Sequence, residues 1–356
     1  MDDNKAWLVE HGDLPIQYQL TNNKDLIDVL LKNEECIYWM EQLKQKVSNS
    51  DMSNIHGSHD YRTENILGKC WLLGMRKDIS EFDVLMRMYI DFLDVHVNIQ
   101  HENETTYQRI YAYHDYETVL SCFLPFLGYS SEPSVVSITN KRIEYLYNFT
   151  KENRYDIYVN GEKYPGVKKE WQPLLINPAL YTDGNLSIPS VHDIILLSGM
   201  YSHLKENQKK KIDIIISWIL NEKYYEFKSR YGYIYSEDDS YKAKSLIRSF
   251  DIPNTQDTLN ENKMAQQSII FKTFILSHFM VASKTPILNN MLTYLKSFRL
   301  VNGRYLFSKP LLNEKRDSYF TEGGHMNIGE NKRSKTYQEV VSTFWMFLIE
   351  GLHNLT

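Results

Sequence analysis

His59-Asp60-Tyr61-Arg62-Thr63, followed by an apolar run to Trp71-Leu72-Leu73-Gly74-Met75, is the stretch that decides the fold class. It returns as His114-Asp115-Tyr116-Glu117-Thr118, running on to Phe126-Leu127-Gly128-Tyr129. A shorter copy is His192-Asp193, followed by Ile194 to Leu197 and then Ser198-Gly199-Met200. Each copy reads as a helix opened by a polar residue and closed at a glycine. An aspartate takes up the free N–H groups of a first turn, and glycine accepts the left-handed conformation after the last turn. Asp60 and Asp115 are therefore expected as N-caps and Gly74 as a C-cap.

Apolar residues recur at three and four on both sides of these copies, the period of a helix with one buried face. Leu26 to Val47 reads as a helical hairpin. Ser80 to Val95 reads as the partner of the first copy, through a stripe of Val84, Leu85, Met88, Phe92 and Val95. Ser134 to Thr150 partners the second copy. Ser190–His203 pairs with Gln208–Phe227, and Glu261–Ala282 with Pro286–Phe298. Thr336–Leu352 is a strongly apolar last helix, expected to pack on the first hairpin. Residues 153–189 carry Pro165, Pro173, Pro178 and Pro189 among tyrosines, which precludes a long helix and predicts an irregular insertion with short extended pieces. About five hairpins and a closing helix predict an all-α protein, an α/α toroid forming a single domain over 1–356. An open solenoid is the alternative.

The scheme of Asp-x-x-Thr, apolar helix, leucine-glycine, second helix and Gly-x-Tyr resembles the repeat of terpenoid cyclases and protein prenyltransferases. Asp60-Tyr61-Arg62-Thr63 with Leu73-Gly74 carries it, as do Asp115-Tyr116-Glu117-Thr118 with Leu127-Gly128, Tyr145-Leu146, Tyr294-Leu295 and Gly303-Arg304-Tyr305. The resemblance implies inner and outer rings of helices around a central pocket. It does not extend to activity. The cyclases' Gln-x-x-Asp-Gly-x-Trp repeat is absent, Ser236-Glu237-Asp238-Asp239 lacks the first residue of their Asp-x-Asp-Asp motif, and the prenyltransferases' zinc-binding Asp-x-Cys does not occur.

Composition narrows the function classes. With 42% hydrophobic and 24% charged residues and a net charge of −5, the chain reads as globular and offers no broad basic face for nucleic acid. Three widely spaced cysteines, Cys36, Cys70 and Cys122, argue against a disulfide framework. The apolar runs are too short or too interrupted to span a bilayer, and a cytoplasmic location is expected. Twenty-six tyrosines suit a partly wet concave surface, and equally a biased genome.

Three stretches carry candidate chemistry. In the repeated phrase, His59, Tyr61, His114, Tyr116 and His192 would line the mouth where several helix starts converge, with histidine as acid or base; capping explains the same aspartates without function. Tyr231-Gly232-Tyr233-Ile234-Tyr235-Ser236-Glu237-Asp238-Asp239-Ser240-Tyr241 sets three acids among tyrosines. Asp239 is the candidate acid there, and Tyr231, Tyr233 and Tyr241 would stack on a sugar ring or shield a cation; an exposed acidic turn is the plain reading. In Glu322 to Arg333, glycines bracket His325 and Glu330, a possible acid–base pair with Arg333 as an anion clamp; a polar loop is its plain reading. These residues predict a metal-independent, cofactor-free acid–base enzyme on a terpenoid-like or carbohydrate-like small molecule in a central pocket. A non-catalytic ligand- or protein-binding toroid is the alternative. Nothing in the sequence sets the oligomeric state.

Overall fold

The computed structural model describes residues 2–49, 55–99, 104–161, 163–227, 231–245, 248–255, 260–315, 317–329 and 335–353. The protein is all-α, 59% helix and 3% strand, as the 3.6-residue periodicity predicts. It divides into two compact units. One comprises Met1–Ile90, Phe126–Tyr129 and Pro253–Thr356, the other Asp91–Pro125 and Ser130–Ile252.

In the first unit the helix Thr63–Leu72 is buried along its whole length. Trp71 on this helix packs against Phe274, Phe126, Phe271, Phe320 and Trp345 at ring separations of 4.9 to 6.2 Å. Gly68 lets Phe320 lie on the helix backbone, because a β-carbon there would sit 2.6 Å from the ring. The last helix, Lys335–His353, packs against the first, Asp2–His11. Arg304 joins them, its guanidinium 4.0 Å over the Trp7 ring and bonded to Glu339 at 3.3 Å.

The helix Thr63–Leu72 stops as the sequence predicts. Gly74 has φ +83°, its N–H donates to the Trp71 carbonyl, and the Met75 N–H donates to the Cys70 carbonyl. These two bonds are a Schellman closure. Gly74→Ala is expected to destabilise the protein by about 1–2 kcal/mol, since a side chain resists this conformation. Its β-carbon would also meet Gln19 Cγ at 2.8 Å. Urea unfolding measures the effect, and no change would mean that the turn relaxes freely.

The helix starts differ from the expectation. In the first copy Arg62 occupies the N-cap without a side-chain bond, and Asp60 instead accepts from the Tyr38 hydroxyl at 2.6 Å. In the second, a Thr105–Gln108 capping box starts the helix earlier, at Thr106–Ile110. His114-Asp115-Tyr116 then falls inside a π-helical turn, Tyr111–Tyr116, that continues into Glu117–Ser121. In the third the cap is Ser190, with Asp193 completing the capping box of Val191–Met200.

The long helix Ser80–Val97 turns its other stripe inward. Phe82, Met86, Tyr89 and Leu93 are buried, while Val84, Met88 and Val95 are 62%, 45% and 66% exposed. Both stripes have helical spacing, so periodicity alone cannot rank them. The expected helix Glu261–Ala282 is broken into Glu261–Gln266, Ile269–Leu276 and Met280–Ser283, with Ser268 left-handed at φ +56°.

The second unit carries the helices Pro133–Thr150, Val191–Met200 and Glu206–Ile219. The insertion at 153–189 is irregular, as expected. It holds the 3₁₀ turns Gln172–Leu174, Pro178–Leu180 and Thr182–Gly184 and one bridge between Tyr158 and Ile176. A two-stranded hairpin pairs Ile234–Tyr235 with Ala243–Lys244.

Candidate functional site

Asn65 and Lys69 lie one turn apart on one face of the buried Thr63–Leu72 helix. Asn65 Nδ2 donates to the Gly57, His59 and Ser318 carbonyls, and its Oδ1 accepts from the Phe320 N–H. One carboxamide therefore ties the segment before the helix to the segment around 318–320. Lys69 Nζ, fully buried, contacts Glu35 at 2.9 Å and donates to Glu314 at 3.1 Å and the Asn327 carbonyl at 2.6 Å. Burial by itself lowers the Lys69 pKa, but Glu314 and Glu35 outweigh it and hold the ammonium above its ordinary value.

Glu314 passes this link on to His325. Its Oε1 lies 3.0 Å from His325 Nδ1, while His325 Nε2 faces the Ser318 carbonyl at 3.2 Å and Asp60 Oδ1 at 4.0 Å. The partners on both ring nitrogens are acceptors, a carboxylate on one side and a carbonyl on the other. Trp39 packs edge-on against the ring at 5.4 Å. His325 itself is buried in a left-handed conformation, φ +62°. The result is a chain running Lys69, Glu314, His325, Asp60, Tyr38. Its inner end is dry, and Tyr38 at its outer end is half-buried.

Aromatic and polar groups follow and precede Asp60 in the chain. His59 is exposed, bonded to Asp317 at 2.7 Å and stacked on Tyr61 at 5.2 Å. Arg62 covers the Tyr61 ring at 5.0 Å. His56 lies 5.2 Å from the Tyr319 ring and bonds the buried Glu64 at 2.8 Å, bringing together two donor types that a divalent cation takes.

In the second unit His114 belongs to a different cluster. Arg142 Nε and Nη2 donate to Asp193 at 2.7 and 3.2 Å, and the Ser190 N–H and hydroxyl donate to the same carboxylate at 2.9 and 2.8 Å. His114 Nε2 lies 3.5 Å from it. Burial pushes the Asp193 carboxyl up, but Arg142 and His114 overcome this and hold it well below the usual carboxylate range. With both carboxylate oxygens engaged by Arg142 and one of them also by Ser190, this cluster reads as structural.

The other expected residues are distributed as follows. Asp239 accepts from Ser236 at 2.6 Å and faces Lys244 at 4.0 Å, at the tip of the two-stranded hairpin. That is the exposed acidic turn, and Tyr241 beside it is 73% exposed. Tyr231 is buried and donates to the Pro189 carbonyl at 2.7 Å, while Tyr233 stacks on Trp171 at 4.5 Å. Tyr116 stacks on His96 at 4.5 Å. His192 is buried in the first turn of its helix. Glu330 and Arg333 lie outside the described residues. The sequence reading missed Lys69, Glu35, Glu314 and Tyr38. A signal was present for Lys69: a lysine four residues after an asparagine, in a stretch whose other residues from Ile66 to Leu72 are apolar or glycine.

No family model matches the chain, and no curated protein or solved structure shows significant similarity to it.

Proposed function

We propose that the protein is a metal-independent acid–base enzyme acting on a small, hydroxylated, carbohydrate-like molecule. Asp60 and Tyr38 form the reacting end, and His325, Glu314 and Lys69 serve as positioning residues behind them. The observation that carries this reading is the His325 ring held by Glu314 on one nitrogen, with Asp60 close to the other. An anchored imidazole beside a carboxylate is the arrangement of an oriented acid–base pair. A substrate hydroxyl that reaches the Asp60–Tyr38 bond would give its proton to the carboxylate side and recover one from it later in the cycle. The exposed His59–Tyr61 stack would take the apolar face of a sugar ring.

Three buried cysteines outside any disulfide support a reducing, cytoplasmic location. Burial pushes the Cys70 thiol up to about 12, which keeps it inert.

The test is incubation of the purified protein with a library of sugars and glycosides in heavy water, read by mass spectrometry. Wild type is expected to convert at least one component, or to deuterate it at carbon, beyond a control without protein. Asp60→Asn should slow this by about 10²-fold or more, and His325→Gln should lower kcat with KM near the wild-type value. If wild type converts nothing, or Asp60→Asn works equally well, the catalytic reading fails and non-catalytic binding replaces it.

A further inference from the structure

Away from the residues of the proposed catalytic end, the first unit has an open groove of about 640 Å³. Thr255, Glu261, Asn290, Thr293, Tyr294, Ser297 and Phe298 line it. The helix Pro286–Lys296 and the residue that ends it supply one wall, because Asn290, Thr293 and Ser297 recur at three and four along one face. Glu261, at the start of the helix Glu261–Gln266, supplies another. Phe298 packs edge-on against Tyr294 at 5.5 Å and adds apolar surface.

One group in this groove is unusual. Tyr294 is only 6% exposed, and its hydroxyl has no hydrogen-bond partner among the described residues. A buried hydroxyl without a partner is costly, and such groups are few in native proteins. The neighbouring hydroxyls have already used their protons. Thr293 donates to the Asn289 carbonyl at 2.8 Å and Ser297 to the Tyr294 carbonyl at 2.7 Å. Both keep lone pairs for accepting. Burial, with the Glu261 charge adding to it, pushes the Tyr294 hydroxyl up to about 12, so it stays a neutral donor at ordinary pH.

We infer that this groove binds a neutral polyhydroxylated molecule of mono- to disaccharide size. The lining chemistry selects that class. An anion is repelled by Glu261. An ammonium group satisfies Glu261 but cannot accept from Tyr294. A hydroxyl does both, donating to the carboxylate and accepting from the phenol. Phe298 and the edge of Tyr294 suit the C–H face of a sugar ring. The volume lies within the range of small-molecule sites, about 300–1,000 Å³. Because the residues differ from those of the acid–base chain, this inference stands or falls separately from it.

Ligand-observed NMR with glucose, maltose and myo-inositol tests it, using the full chain and Tyr294→Phe. Citrate and choline serve as charged controls. At least one of the three polyols is expected to bind at millimolar concentration, with both controls silent. Tyr294→Phe should weaken that binding by roughly tenfold, the worth of one hydrogen bond. The same variant should melt at or above the wild-type temperature, since it removes an unsatisfied buried group. Asn290→Trp, which fills the groove from an exposed position, should abolish binding. Silence from all three polyols, equal binding by Tyr294→Phe, or choline or citrate binding in their place overturns the inference.

Discussion

Exchange of Arg142 for leucine is expected to cost about 3–5 kcal/mol of folding stability, the toll of leaving a buried charge without its partner. Arg142 and Asp193 are both fully buried, and Arg142 also donates to the Leu186 carbonyl at 2.7 Å. Without the guanidinium, Asp193 keeps the Ser190 bonds but loses its cation. The double exchange Arg142→Leu with Asp193→Leu should recover much of the loss, since two apolar groups leave no orphaned charge. The pH dependence has a definite sign. Asp193 is held below its unfolded value, so its contribution is complete above about pH 3.9 and fades as the pH falls through the folded value. Urea unfolding of wild type and Asp193→Asn between pH 7 and pH 2 reads this directly. A stability gap unchanged down to the lowest pH, or none at neutral pH, would refute it.

Lys69→Met is the second large effect, again about 3–5 kcal/mol, because Glu35 and Glu314 then share an interior with no cation between them. Here the sign is reversed. Lys69 is held above its unfolded value, so its stabilisation is present below about pH 10.4 and is lost only as the pH rises through the higher folded value. Wild type and Lys69→Met should therefore differ by a constant amount from neutral pH to about pH 10. If the gap closes already near neutral pH, the triad is not the charged network that its distances describe. Lys69→Met should also loosen Glu314 and, through it, His325, so a catalytic assay would register the change as a fall in kcat.

The helical periodicity was legible because it is local. Gly74 was readable as a stop because a left-handed residue after a helix favours glycine over any other type. The four prolines of 153–189 were equally readable, since proline lacks the N–H that a helix interior uses. The repeated histidine-aspartate pair misled. The same two residues precede a helix, lie within a π-turn, or complete a capping box, depending on whether Arg62, Thr105 or Ser190 holds the cap. A capping side chain competes with every other partner within reach, and Asp60 has Tyr38 at 2.6 Å.

By itself the sequence determined the helical class, most helix positions, the Gly74 closure and the irregular insertion, all consequences of neighbours a few residues apart. Only the tertiary structure decided which stripe of Ser80–Val97 is buried, and which charges meet. Lys69 and Glu314 are 245 residues apart in the chain, and Asn65 and Ser318 are 253 apart. No local pattern encodes such a pairing. A lysine in an apolar helix is tolerable only where a distant carboxylate offsets its desolvation, and that partner becomes visible when the segments are brought together.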